Sequence, residues 1–409
     1  MTPSPQTPAP GAEAPGHEAL GTGAGAPVPD PYSPEFMTDP YPTLDVLRAH
    51  QPVCPVKTPF LGDAWLVSRY DSVRATLADP RMGRRDPEDP EDGPASLDSD
   101  PPDHTRLRRL LQKTFTHRRI QLLRPRVQEL VDSMVDAFAD RGGAELLDEL
   151  AYPLPIAVIC EMLGVPESDW AEVRSRTAKF IDGEIPQNRF EAYVATHEYI
   201  VGLVAAKREQ PGDDLVSALL AARDGEQRLT EEELVNLLVM MVVAGFITTT
   251  NLIGNGVHAL LTNPDQLRLL IEKPELIDSA VEEFLRYESS FSVVSVIPQE
   301  DVEIDGVLVA KGEKVLASCH GANRDPERFT DPELLDITRS PNPHIAFGHG
   351  AHHCFGAPLA RLEAQLAIGT VVRRLAGLRL DGEAAWRGGV LRGLHTLPVA
   401  FDGDAGSGS

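Results

Sequence analysis

Residues 344–364 read HIAFGHGAHHCFGAPLARLEA. Cys354 stands among Gly348, Gly350 and Gly356, and Pro358 sits where a helix can begin. A cysteine just ahead of a helix N-terminus lies among unpaired backbone N–H groups at the positive end of the dipole. That setting favours thiolate, the form that ligates metals and acts as a nucleophile. A lone cysteine is more often a small, buried, apolar residue. The glycines, which let backbone approach a flat object closely, turn the reading towards an activated sulfur.

A second stretch with chemical potential is AGFITTTN, residues 244–251, which follows the apolar run Leu237–Ile247. Threonine is a poor helix former, and its hydroxyl can bond the carbonyl one turn back and bend the helix. Gly245 followed by Thr248, Thr249 and Thr250 in the most apolar part of the chain suggests a helix that opens around something polar. The helix has a clear start: Thr230 can cap it while Glu233 reaches back. Asn263-Pro264 stops it. The predicted helix has roughly 30 residues and is about 45 Å long, enough to cross a domain.

The elements that must hold these stretches are mostly helices. RIQLLRPRVQELVDSMVDAFADR and PLARLEAQLAIGTVVRRLAGL repeat apolar residues three and four apart. Strand patterns are short: DAWLVSR, then DVEIDGVLVAKGEKVLAS, where Asp305-Gly306 and Lys311-Gly312 read as hairpin turns. The fold class is therefore mainly α with small β-sheets. Residues 84–104 are acidic and proline-rich and read as a mobile loop. The Pro/Gly/Ala-rich residues 1–36 read as a disordered extension, 37–403 as one domain and 404–409 as a flexible tail.

Composition narrows the function classes. With 38 basic and 62 acidic residues among 409, the formal charge of -24 argues against nucleic acid or an anionic membrane as the main partner. The longest apolar run falls short of the about 20 residues that span a bilayer. No basic start followed by an apolar stretch marks a secretory signal. Cys54, Cys160, Cys319 and Cys354 are scattered without CxxC spacing, which suggests neither a disulfide framework nor structural zinc and fits a reducing cytoplasm.

Phe347, Gly350, His352, Cys354 and Gly356 match F-x-x-G-x-H-x-C-x-G at every position, and in this the chain resembles the cytochromes P450. The resemblance covers residues 37–401 and implies the P450 fold, a helical prism with haem b between the long central helix and the cysteine loop. It implies that Cys354 is the axial thiolate ligand, that Gly350 and Gly356 permit the tight loop, and that His352 contacts a haem propionate. His104 and Arg108 in DHTRLRR match residues that hold propionates. Glu283 and Arg286 in VEEFLRYE match the family's E-x-x-R pair, with Arg328 as third member and Arg339 as the alternative. AGFITTT resembles the family's A-G-x-(D/E)-T-T, in which an acid and the next threonine relay protons during dioxygen activation.

Two positions depart from that pattern. Ala244, Gly245 and Thr248 match, but Ile247 replaces the acid, preceded by the bulky Phe246; Thr248, helped by Thr249, is left as proton donor. Val296 stands where relatives carry a propionate-gripping arginine. The substrate pocket is expected to be lined by Val243, Phe246, Ile247, Val293, Val294, Val296 and Leu391, with the 84–104 loop and the segment around Asp182-Gly183-Glu184. The resemblance implies a monooxygenase of bulky hydrophobic metabolites such as macrolides or polyketides, using dioxygen and electrons from ferredoxin and ferredoxin reductase. From His104 to Gln128 eight Lys/Arg and no acid form a basic island suited to that partner: Arg106, Arg108, Arg109, Lys113, Arg118, Arg119, Arg124 and Arg126. The missing acid leaves peroxide-driven, coupling, desaturating or rearranging chemistry as the alternative. A non-catalytic helper role conflicts with the retained Cys354.

Overall fold

The computed structural model describes residues 33–58, 62–86, 96–178, 186–222, 228–387 and 389–404. The expected disordered extension up to residue 32, residues 87–95 of the 84–104 loop, the Asp182-Gly183-Glu184 segment and residues 405–409 lie outside them. The extension ends earlier than expected. Ser33 accepts the Phe36 N–H and caps a first helix, α1 (Pro34–Thr38), whose last carbonyls receive the Arg392 guanidinium. Strand Gly403–Asp404 likewise brings residue 404 into the domain.

Helices follow in the order α2 (Tyr41–His50), α3 (Tyr70–Ala78), α4 (Asp103–Thr114), α5 (His117–Asp136), α6 (Pro153–Leu163), α7 (Trp170–Ala178) and α8 (Pro186–Glu209). Then come α9 (Leu215–Ala221), α10 (Glu231–Thr262), α11 (Pro264–Glu272), α12 (Ile277–Tyr287), α13 (Cys319–Asn323) and α14 (Ala357–Arg374). The Thr230/Glu233 capping box starts α10, and Asn263 ends it ahead of Pro264. At 32 residues α10 is long and apolar enough to cross a membrane by length and composition, although the run Leu237–Ile247 alone is not. Two thirds of its most apolar stretch is instead buried in this fold, against α6, α8, α12 and α14.

Strands β1 (Val53–Thr58), β2 (Gly62–Val67), β3 (Met82–Gly83), β5 (Val293–Pro298) and β8 (Lys314–Ser318) form a five-stranded sheet in the order β1-β2-β8-β5-β3, with β2 and β8 parallel. β4 (Gly143–Glu145) joins a separate three-stranded sheet. β6 (Val302–Ile304) and β7 (Val307–Val309) form the expected hairpin, and both turn residues, Asp305 and Gly306, have positive φ (48° and 79°), as a primed two-residue turn requires. The second expected hairpin does not form. Gly312 turns the chain at φ 83°, but β8 then pairs with β2 and β5 rather than with β7. Leu316 and Val315, buried on opposite faces of β8, find two apolar clusters only from a central position in the sheet.

Candidate functional site

The cysteine loop is held from inside and from below. The Cys354 N–H donates to the Phe347 carbonyl at 2.8 Å, closing the loop over Gly348 and Gly350, which take φ 71° and 74°. Only glycine fits position 350 for a second reason. A Cβ there would run into the Leu77 carbonyl oxygen and come within 3.1 Å of the Ala78 Cα at the end of α3. Immediately after Cys354, α14 begins with Pro358 in its first turn. Arg361, one turn on, pairs with Glu282 on α12 at 2.6 Å and lies over the Phe347 ring at 4.6 Å, fixing the loop's apolar flank.

All four cysteines are free, but only Cys354 is exposed. Burial pushes the Cys160 and Cys319 thiols up to about 12 and Cys54 up to about 11. Protein enclosing the Cys354 sulfur also raises its pKa, so desolvation outweighs the dipole emphasised by the sequence. The Gly356 and Ala357 N–H groups, with the charges of Arg108 and Arg361, pull in the thiolate direction. Sulfur exposed to a ligand yet ringed by N–H donors and cations suits a metal-bound thiolate.

A donor cluster lies beside it. His104, buried in the first turn of α4, stacks on His352 at 4.0 Å between ring centroids. The His352 Nδ1 meets the Leu97 carbonyl at 3.2 Å. Burial, reinforced by the neighbouring His352, Arg108 and Arg84, pushes the His104 pKa down to about 4, and burial also lowers that of His352. His104 Nε2 is buried with no hydrogen-bond partner among the described residues. Arg108, one turn further along α4, donates to the His353 carbonyl at 2.8 Å and so bolts α4 to the cysteine loop. The haem that the resemblance implies fits these residues: a sulfur ligand, a loop that glycine keeps thin, and an orphaned imidazole nitrogen with a guanidinium to receive carboxylates.

On α10, Ala244 is exposed and Thr248 half-buried one turn later, while Thr249 is buried. Thr248 Oγ1 donates to the Ala244 carbonyl at 2.7 Å and Thr249 Oγ1 to the Gly245 carbonyl at 2.9 Å, the back-bonding expected of a locally perturbed helix. Several expected pocket residues lie elsewhere. Phe246 (0% exposed) and Ile247 (5%) turn into an apolar cluster with Ile159 and Val242: Phe246 sits on the face of α10 opposite Ala244, and Ile247 on its flank, covered by that cluster. Val296 is buried among Tyr70, Val302 and Val315. Val294 leans on that same cluster, and Val293 points through the sheet to the Leu44 cluster, as strand alternation dictates. Val243 and Leu391 remain half-buried on one cluster, which also gathers Leu97, Met240 and Met241.

The E-x-x-R pair is fully buried: Arg286 grips Glu283 at 2.7 Å and donates to the carbonyls of Asn323, Pro332 and Leu334. Its third member is Arg339, 3.1 Å from Glu283, not Arg328. Arg328, in the turn where its N–H donates to the Asp325 carbonyl at 3.0 Å, instead sits over the Tyr70 ring at 5.2 Å. Sequence reasoning missed Arg361 and Glu282, although the acid doublet Glu282-Glu283 signals two partners, and it missed Arg84.

The family model described as Cytochrome P450 matches residues 156–377. Over 399 residues the chain is 46% identical to the cytochrome P450 monooxygenase PikC of Streptomyces venezuelae, covering 93% of this chain and 96% of that one. It is 42% identical to the mycinamicin IV hydroxylase/epoxidase of Micromonospora griseorubida, covering 87% and 94%. Among solved structures, the LnmA cytochrome P450 hydroxylase of the leinamycin pathway of Streptomyces atroolivaceus matches with a TM-score of 0.82 at 43% identity, covering 88% and 96%. With its glycine-framed cysteine loop, buried E-x-x-R network and long threonine-bearing helix, the chain belongs to the cytochrome P450 family and is a P450 monooxygenase.

Proposed function

We propose that this enzyme binds haem b through Cys354 and inserts one oxygen atom into a bulky hydrophobic secondary metabolite of the macrolide or polyketide class, by hydroxylation or epoxidation. Electrons would come through a ferredoxin and its reductase in the cytoplasm. The observation that carries the reading is the exposed Cys354 sulfur, flanked by the Gly356 and Ala357 N–H groups and by a histidine with an unpartnered ring nitrogen. The haem supplies oxygen-activating and electron-transfer chemistry. The chain's part is to hold its carboxylates with His104, His352 and Arg108, to bring substrate against the Ala244–Thr248 face, and to deliver protons from the Thr248 hydroxyl. The substrate class rests on the likeness to the mycinamicin IV hydroxylase/epoxidase and to a 6-deoxyerythronolide B hydroxylase at 40% identity, together with apolar side chains such as Val243, Met240 and Leu391 near that face.

The test is a spectral titration of holoenzyme with a panel of macrolides and polyketides, followed by product analysis with ferredoxin, reductase and NADPH. A low-spin to high-spin shift and a product heavier by one oxygen are expected for at least one macrocycle. Binding of linear fatty acids alone would redirect the substrate class. Because Ile247 is sealed in the core, no carboxylate stands at the relay position, and this favours peroxide-driven or non-inserting chemistry as the second reading. Turnover with hydrogen peroxide but not with ferredoxin would select it.

A further inference from the structure

β3 runs antiparallel to β5 with Gly83 opposite Ile297, so Arg84 emerges beside Val296 and Ser295. Its Nη1 donates to the Ser295 carbonyl at 2.6 Å. The Asp100 carboxylate accepts the backbone N–H groups of Arg84 (2.9 Å) and Arg85 (3.2 Å), and the Asp100 carbonyl accepts the His104 N–H at 3.2 Å. One residue thus ties Arg84 to the first turn of α4, where His104 stacks on His352.

Two nitrogens in this nest are buried without a hydrogen-bond partner among the described residues: Arg84 Nε and His104 Nε2. The Asp98 carboxylate lies 3.8 Å from Arg84 Nε, beyond hydrogen-bond reach, on a side chain 77% exposed. A buried guanidinium N–H left unpaired is costly, and an unpartnered imidazole nitrogen on the residue that Asp100 ties to Arg84 makes the same nest suited to an anion. With Nη1 committed to Ser295, the guanidinium keeps its Nε–Nη2 edge, the geometry that grips a carboxylate bidentately. On the neighbouring strand Val296 is buried in apolar packing and offers no donor.

We propose that Arg84 holds a haem propionate together with His104, supplying from just after β3 the guanidinium that position 296 on β5 lacks. The inference rests on the haem-thiolate reading above, and the experiment separates the two. Holoenzyme is prepared as wild type, Arg84→Met, Arg84→Lys, Asp98→Asn and Arg84→Met/Val296→Arg. Haem transfer to excess apomyoglobin and the midpoint potential are measured for each. Wild type lacking the thiolate-type CO band would fail the haem-thiolate reading, and the Arg84 proposal with it. Given that band, Arg84→Met is expected to lose haem about 10- to 100-fold faster, as deletion of a charged hydrogen bond implies. Its potential should fall, because a cation beside the haem favours the reduced form. Asp98→Asn should keep the wild-type rate, and Val296→Arg should slow the loss seen in Arg84→Met. Equal rates in wild type and Arg84→Met overturn the proposal, as does Asp98→Asn losing haem as fast as Arg84→Met. Should Arg84→Met not accumulate as holoenzyme, Arg84→Lys decides: faster loss than wild type supports the bidentate grip, and the wild-type rate overturns it.

Discussion

Thr248 and Thr249 have the same chemistry and each donates to the carbonyl one turn back, of Ala244 and Gly245 respectively, so their difference lies in surroundings. Thr248 shares a face with the exposed Ala244 and can swing its hydroxyl to a ligand or water; Thr249, 3% exposed, cannot. A positioned proton donor contributes about 100- to 10,000-fold in rate. Thr248→Val should therefore lower product formed per NADPH sharply, with Thr249→Val close to wild type, measured with ferredoxin, reductase and a bound macrocycle. Normal turnover by Thr248→Val would end the relay account. Restoring the family's acid by Ile247→Glu places a carboxylate among Ile159, Val242 and Phe246, and should cost at least about 2 kcal/mol, read as a lower thermal midpoint. What was legible at this scale divides by cause. Cys354, Gly350, His352, His104 and Arg108 stand out because a tight loop and a helical turn fix their spacing locally. Phe246, Ile247 and Val296 were misplaced because α10 is apolar all round its middle and β5 is covered on both faces. Hydrophobicity cannot then tell which side meets the ligand.

Among the elements, α12 is the brace of the cysteine side. Glu283 accepts from Arg286, Arg339 and Asn342 side chains and from the Asp336 N–H, so one buried carboxylate organises the chain from Asn323 to Asn342. Removing a partner leaves a buried charge short of donors. Arg339→Ala should destabilise the protein by about 2–4 kcal/mol and loosen residues 331–339, measured by denaturant unfolding and hydrogen exchange. Arg328→Ala, which loses only the contact over Tyr70, should cost about 1 kcal/mol or less. Similar losses in both would return Arg328 to the network. The sequence showed the helices well, since their period and caps are local; the α10 boundaries come from Thr230, Glu233 and Asn263-Pro264 alone. It failed where pairing is long-range. Nothing near Lys311-Gly312 says that β8 passes β7 to lie parallel to β2, some 250 residues earlier in the chain. Nor does RDPERF reveal that the returning chain will present Arg339.

For the molecule as a whole, charge bears both on its pH tolerance and on the redox partner proposed above. His320 is buried and neutral, its Nε2 2.8 Å from the Ser289 carbonyl, and burial pushes its pKa down to about 4. Unfolded, it protonates near about 6.5, so between roughly pH 6.5 and 4 the unfolded chain binds the extra proton and stability falls with falling pH. The thermal midpoint of His320→Gln should vary less across that window than that of wild type. The basic island is less uniform than its sequence suggests. Arg106 is paired with Glu233, Arg119 faces Asp213 at 3.5 Å, and Arg126 meets Glu161 at 3.3 Å, all acids from other elements. Its placement still matters: Arg108 joins α4 to the cysteine loop, and Arg124 on α5 reaches Gln365 on α14, so this face borders the Cys354 side. On a chain of formal charge -24 it would serve as a local attractor for the acidic ferredoxin proposed above, whose encounter rate would then depend on ionic strength. Reversing Arg109 and Lys113 to Glu should slow ferredoxin-supported reduction at low salt by about tenfold or more and flatten its salt dependence, while reduction by dithionite stays unchanged. An unaltered ferredoxin rate would move the docking surface to another face; a slowed dithionite rate would show that the substitutions had disturbed the haem side itself.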